Sequence, residues 1–105
     1  MRKRRVLPVL REAEFRSTVQ EAGAWVEIEC LAAPDPDKRH RGEWVFYVAK
    51  GTEQRAVLVT SQARERVIST TEGVVSFAST TLGLDVVSIP LVAGGLATGM
   101  RYRPK

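Results

Sequence analysis

The sequence predicts an α+β fold. The expected domain is a single two-layer unit over residues 7–90, with an antiparallel meander of three to five strands and two helices on one face. The expected element order is helix, three or four strands, helix, strand. Three observations lead there. Residues 24–31 alternate cleanly between apolar and polar, which is the period of a half-buried strand. Residues 43–69 hold further β-branched and aromatic runs separated only by short turns, and connections that short favour sequential antiparallel pairing. Two stretches with apolar residues at helical spacing, each closed by a glycine (Gly23 and Gly83), bracket the strands.

In chain order, residues 1–6 read as a basic arm. Pro8 suits a first helical turn. Leu7, Leu10, Phe15, Val19 and Ala22 give a partial apolar face up to Gly23, and Glu12 and Arg16 stand at i and i+4. In the strand 24–31, Ala24, Val26, Ile28 and Cys30 share one face. Trp25, Glu27, Glu29 and Leu31 share the other, and its two glutamates point that face toward water. Residues 34–42, with two prolines, two aspartates and a terminal glycine, form a loop. Strands follow at 43–50 and 55–60, with a short returning strand at 66–69. Thr70 or Thr71 caps a helix through residue 82, carried by Val74, Phe77, Ala78 and Leu82. Its β-branched content argues instead for a strand. Residues 84–89 read as a closing strand ended by Pro90, and residues 91–105 as a Gly-rich, then basic tail.

The chain has 105 residues and a formal net charge of +4. The basicity is confined to the ends: residues 6–100 hold nine basic and twelve acidic groups, a net of −3. The single cysteine, Cys30, excludes an intramolecular disulfide and a cysteine-based zinc site. The single histidine, His40, excludes a multi-histidine metal site within one chain. The apolar run at residues 6–10 is too short for a secretory leader, and residues 86–100 are too short and too interrupted to span a bilayer. The expected location is the cytoplasm, with no membrane, cofactor or metal. No acid or nucleophile is placed to work with His40, so an enzyme is not expected.

The candidate contacts are basic. Arg2, Lys3, Arg4 and Arg5 form an arm able to track a phosphate backbone. Lys38, Arg39 and Arg41 are the densest internal cluster, and each phosphate they met would release counterions. Arg64 and Arg66 flank Glu65 at a hairpin tip. Arg101 and Arg103 interleave with Tyr102, which could stack on an unpaired base. Each cluster also reads as ordinary solvated loop or tail charge. The lead expectation is a small non-enzymatic binding module that touches DNA or RNA through these arms. The alternative is a protein–protein adaptor or homodimer, motivated by the aromatic strand 44–47 with Trp25 and Leu31, or by edge-strand pairing with a second copy.

Over about residues 56–90, Leu58, Thr60, Arg64, Val67-Ile68, Ser69-Thr70, a short helix and Gly83-Leu84-Asp85 together resemble small plasmid-encoded accessory proteins associated with partition or replication. In those, an "L-x-T-x-R-G…R-x-F" hairpin precedes a helix and a "G-I/L-D" strand. Here Ala63 stands before Arg64, no glycine follows it, and the pair 67–68 has no aromatic. The resemblance implies a bacterial cytoplasmic protein encoded on mobile DNA that helps plasmid maintenance. It implies no catalytic residue and no defined ligand.

Overall fold

The computed structural model describes residues 8–104. Its elements are β1 (Val9–Leu10), α1 (Glu12–Val19), β2 (Ala24–Asp35), a 3-10 turn (Pro36–Lys38), β3 (Arg41–Lys50), β4 (Ala56–Leu58), α2 (Thr71–Ser76), a π-helical turn (Phe77–Thr81) and β5 (Leu96–Met100). The strands form one sheet in the order β1-β4-β3-β2-β5. The α+β class holds. The sheet is mixed rather than a pure meander, because β1 pairs parallel to β4.

The spine is the β2–β3 hairpin, in register from Ala24↔Lys50 to Cys30↔Trp44. Beyond Cys30 the register shifts, and β2 bulges past Gly42. A Cβ at Gly42 would lie 2.6 Å from the Ala32 carbonyl oxygen and 3.1 Å from the Pro34 nitrogen, so only glycine lets the two backbones approach this closely. β4 pairs with β3 at Tyr47↔Val57 and Val48↔Ala56 and then diverges from it. The chain turns at residues 60–64 and comes back between them. Val59 bridges Glu65, Arg66 N–H reaches the Leu58 carbonyl at 3.0 Å, and Trp44 and Ile68 exchange two backbone hydrogen bonds of 2.9 Å. The short strand expected at 66–69 is therefore a wedge between the end of β4 and the start of β3.

Both helices lie on one face, as expected. α1 carries Glu12 and Glu14 in its first turn and Arg16 in its last, each suited to the helix dipole, and buries Phe15 and Val19 at i and i+4. α2 is capped by Thr70, whose Oγ1 accepts the Gly73 N–H at 3.0 Å. It then widens into the π turn. Phe77 meets Phe46 edge-on, with centroids 5.1 Å apart. These side chains close over Val26, Ile28, Cys30, Trp44, Phe46, Val48 and Leu58 to form the main core. Val45, Tyr47, Val57 and Val59 form a second, smaller buried cluster on the opposite sheet face.

Three boundaries and one ion pair differ from expectation. The first helix begins at Glu12, not Pro8, because Val9 and Leu10 pair with Val57 and Leu58 and the Pro8 carbonyl accepts the Val57 N–H. Proline is tolerated on such an edge. Glu12 pairs with Arg66 across the fold at 2.7 Å, not with Arg16. Residues 84–89 are not a strand. Leu84 is buried and Val87 and Ile89 pack on the core, but the edge of β2 is taken by residues 96–100, where Val26↔Met100 and Glu29↔Leu96 pair. The segment expected as a tail thus supplies an edge strand, and only its last residues run past the sheet.

Candidate functional site

The arm Arg2, Lys3, Arg4 and Arg5 lies outside the described residues. The other basic candidates separate to opposite ends of the sheet. Lys38, Arg39 and Arg41 stand at the β2–β3 turn, near the residues 60–64 hairpin that carries Arg64 and leads to Arg66. Arg101 and Arg103 stand beyond β5, beside the start of β2. Several are engaged internally. Arg66 pairs with Glu12 and lays its guanidinium 4.8 Å from the Phe77 ring centre. Arg41 reaches the Ser69 hydroxyl at 3.4 Å, Arg101 the Ala24 carbonyl at 3.4 Å, and Arg103 pairs with Asp85 at 2.6 Å. Lys38, Arg39 and Arg64 are exposed, and no acid pairs with them among the described residues. Arg39 and His40 both take positive φ, at 57° and 58°, a left-handed pair that costs about 1–2 kcal/mol per non-glycine residue.

The aromatic strand is not a free surface. Trp44 and Phe46 lie in the main core and Tyr47 in the second cluster. Around Tyr47 the sheet carries a polar network that alternation alone did not announce. The Tyr47 hydroxyl donates to Glu29 Oε1 at 2.6 Å, and the Arg55 guanidinium sits 4.0 Å over its ring. Arg55 also pairs with Glu27 at 3.2 Å. The remaining Glu27 oxygen accepts from Trp25 Nε1 at 3.2 Å and Thr98 Oγ1 at 2.8 Å. Burial alone would push the Glu27 carboxyl up, but these three hydrogen bonds and the Arg55 charge outweigh it and hold it below the usual carboxylate value. Burial first, then the bond to Glu29, pushes the Tyr47 phenol well above its ordinary value. The network ties β2, β3 and β5 to Arg55, the residue before β4; it is a structural clasp, and among the described residues no buried side-chain polar atom is left unpartnered.

Two features remain that the sequence pointed to only in single residues, Leu31 for one and Tyr102 with Arg103 for the other. The first is apolar. Leu31, Leu91, Val92 and Leu96 are all exposed, Val92 by 71%. The chain brings them together at the β2–β5 margin, because Gly94 and Gly95 hydrogen-bond on either side of Cys30 and Leu96 pairs across from Glu29. The signal lay in an apolar run that helical or strand periodicity does not explain. The second is a cleft of about 960 Å³ between the π turn, residues 83–85 and residues 102–104. Among the described residues no three metal-ligating side chains come together, and no helix is long and apolar enough to cross a membrane. No family model, no curated protein and no solved structure matches the chain.

Proposed function

We propose that this chain is a non-catalytic binding module acting through protein contact, and that its partner is a second copy joined edge to edge along β5. One observation carries the reading: an uncharged edge strand beside an apolar margin. Natural edges are protected by lysines, prolines, bulges or extreme shortness, and β5 carries one bulge, near the positive-φ Gly99. β5, Leu-Ala-Thr-Gly-Met, has neither lysine nor proline and no charge at all, so nothing on it repels its own copy. The opposite edge, β1, is only two residues long. Antiparallel β5 pairing about a two-fold axis is self-complementary. It would satisfy the free edge of β5, set Leu96 across from the Met100 end of the second copy, and cover exposed apolar surface at Leu96 that a monomer leaves in water. Light scattering over a concentration series tests this. The expected result is a dimer that Leu96→Lys dissociates. A chain that stays monomeric at high concentration overturns the reading.

A second reading has its own support. The exposed cations Lys38 and Arg39 sit on a turn whose left-handed backbone costs stability, and such strain tends to be kept where a side chain has work to do. With the N-terminal arginines and lysine they form the nucleic-acid contact of a plasmid-maintenance accessory protein. Fluorescence anisotropy with single- and double-stranded DNA across a salt series tests it. Binding that steepens at low salt and falls with Lys38→Gln/Arg39→Gln supports it; salt-independent or absent binding sinks it.

A further inference from the structure

We infer that the cleft beyond the C-terminal end of β5 binds a nucleotide, with the base against Tyr102 and the phosphate on Arg103. The inference is independent of the β5 reading, because the apolar margin lies at the other end of that strand. The cleft is about 960 Å³, ample for one nucleotide. Its walls are already tied together. Leu84 and Tyr102 form a β-bridge, Arg103 N–H donates to the Gly83 carbonyl at 3.1 Å, and Arg103 Nε pairs with Asp85 at 2.6 Å. A site held this way loses little freedom on binding.

Each group has a matching role. Gly83 has φ +69°, and a Cβ there would lie 2.9 Å from Tyr102 Cε1 and 3.0 Å from Cδ1. The ring therefore rests on the glycine, which fixes its plane while the residue stays part-exposed. A fixed aromatic plane is what base stacking needs. Arg103 pairs its Nε with Asp85, and its two terminal nitrogens make no hydrogen bond among the described residues, with the side chain 75% exposed. A guanidinium anchored along one edge presents the other to a pair of phosphate oxygens. Ser79 and Thr80 complete the rim from the π turn, an irregularity frequent at functional sites. The Ser79 hydroxyl donates to the Val75 carbonyl at 2.7 Å, which leaves its oxygen free to accept from a base amine or a ribose hydroxyl.

The test is an amide-resolved NMR titration of the full chain with adenosine 5′-monophosphate. Adenosine, inorganic phosphate and a short single-stranded oligodeoxyadenylate serve as separate arms. Saturable shifts are expected at Ser79, Thr80, Gly83, Leu84, Asp85 and Tyr102, weaker with adenosine and absent with phosphate. Tyr102→Leu and Arg103→Gln should each weaken binding about tenfold. Arg103→Gln alters an exposed side chain and keeps the test valid if Tyr102→Leu disturbs the fold. Response to the oligonucleotide as well as the mononucleotide assigns the ligand to single-stranded nucleic acid; response to the mononucleotide alone assigns it to free nucleotide. No saturable shift in any arm, shifts centred elsewhere, or equal shifts from phosphate alone overturn the inference.

Discussion

Trp44→Phe separates what the buried indole contributes as volume from what it contributes as a hydrogen-bond donor. The side chain is fully buried at the centre of the main core, and its Nε1 donates to the Pro90 carbonyl at 2.8 Å. That bond is what ties the irregular residue 84–95 segment to the sheet at its midpoint. Phenylalanine keeps an aromatic ring but leaves the carbonyl unsatisfied, at about 1–2 kcal/mol, and leaves a void at about 1–2 kcal/mol more. The expected loss is roughly 2–4 kcal/mol, a large share of the roughly 5–15 kcal/mol such a domain possesses. Denaturant unfolding followed by the remaining Trp25 measures it. Hydrogen exchange should also rise in residues 86–95 beyond the global change. Since that segment presents Leu91 and Val92, self-association should weaken in parallel. A loss under about 1 kcal/mol, or exchange rising equally everywhere, would refute the idea that this bond pins the segment.

Three further outcomes follow from the same geometry. Glu27 has a folded-state value held below its ordinary 4.5, so its contribution to stability is present above that value and is lost as pH falls through the folded value. Acid unfolding midpoints should therefore shift less with pH in Glu27→Gln than in the wild type. Tyr47 is shifted up from 10.0, so its contribution is complete below that pH and disappears only as pH rises through the folded value. In Tyr102→Phe, where Tyr47 is the one tyrosine left, ultraviolet titration should show no phenolate until the alkaline unfolding transition. Cys30 is fully buried and burial pushes its thiol up, so a thiol reagent should label it only at the rate of unfolding, with rapid labelling of the native protein as the contrary result.

The local patterns that the sequence displays are those with one competitor or none. Alternation over residues 24–30 became β2 with Ala24, Val26, Ile28 and Cys30 buried, because a one-residue slip would have exposed all four. The stretch 71–82 set a helical period against a strand-like composition, and the helix won since Thr70 could cap it and Val74, Phe77 and Ala78 could all reach the core. Its β-branched content shows instead in the short α segment and the π widening. What was hidden is competition between distant segments for one edge. Residues 84–89 have the better strand composition, yet residues 96–100 occupy the edge of β2. Residues 84–89 serve better as packing under Trp44 and Met100, whose sulfur accepts the Ser88 N–H at 3.4 Å. The basic candidates were visible as residues but not as a site, because ion partners such as Glu12 for Arg66 lie 54 positions away. The cleft at Tyr102 was foreshadowed only by Tyr102 and Arg103; its opposite wall comes from the π turn, which no local pattern marks.

The position of β5 also sets a timetable. Thr98 and Glu27, joined in the finished sheet, are 71 residues apart in the chain. At ribosomal speeds of roughly 5–20 residues per second, β2 waits about 4–14 s for its outer neighbour. During that interval the β2–β3 hairpin can form, but the Ile28–Glu29 edge stands bare in a crowded cell. The nascent chain is then most prone to pair with the wrong strand, so expression temperature and translation rate should govern the soluble yield of this protein more than the stability of its finished fold.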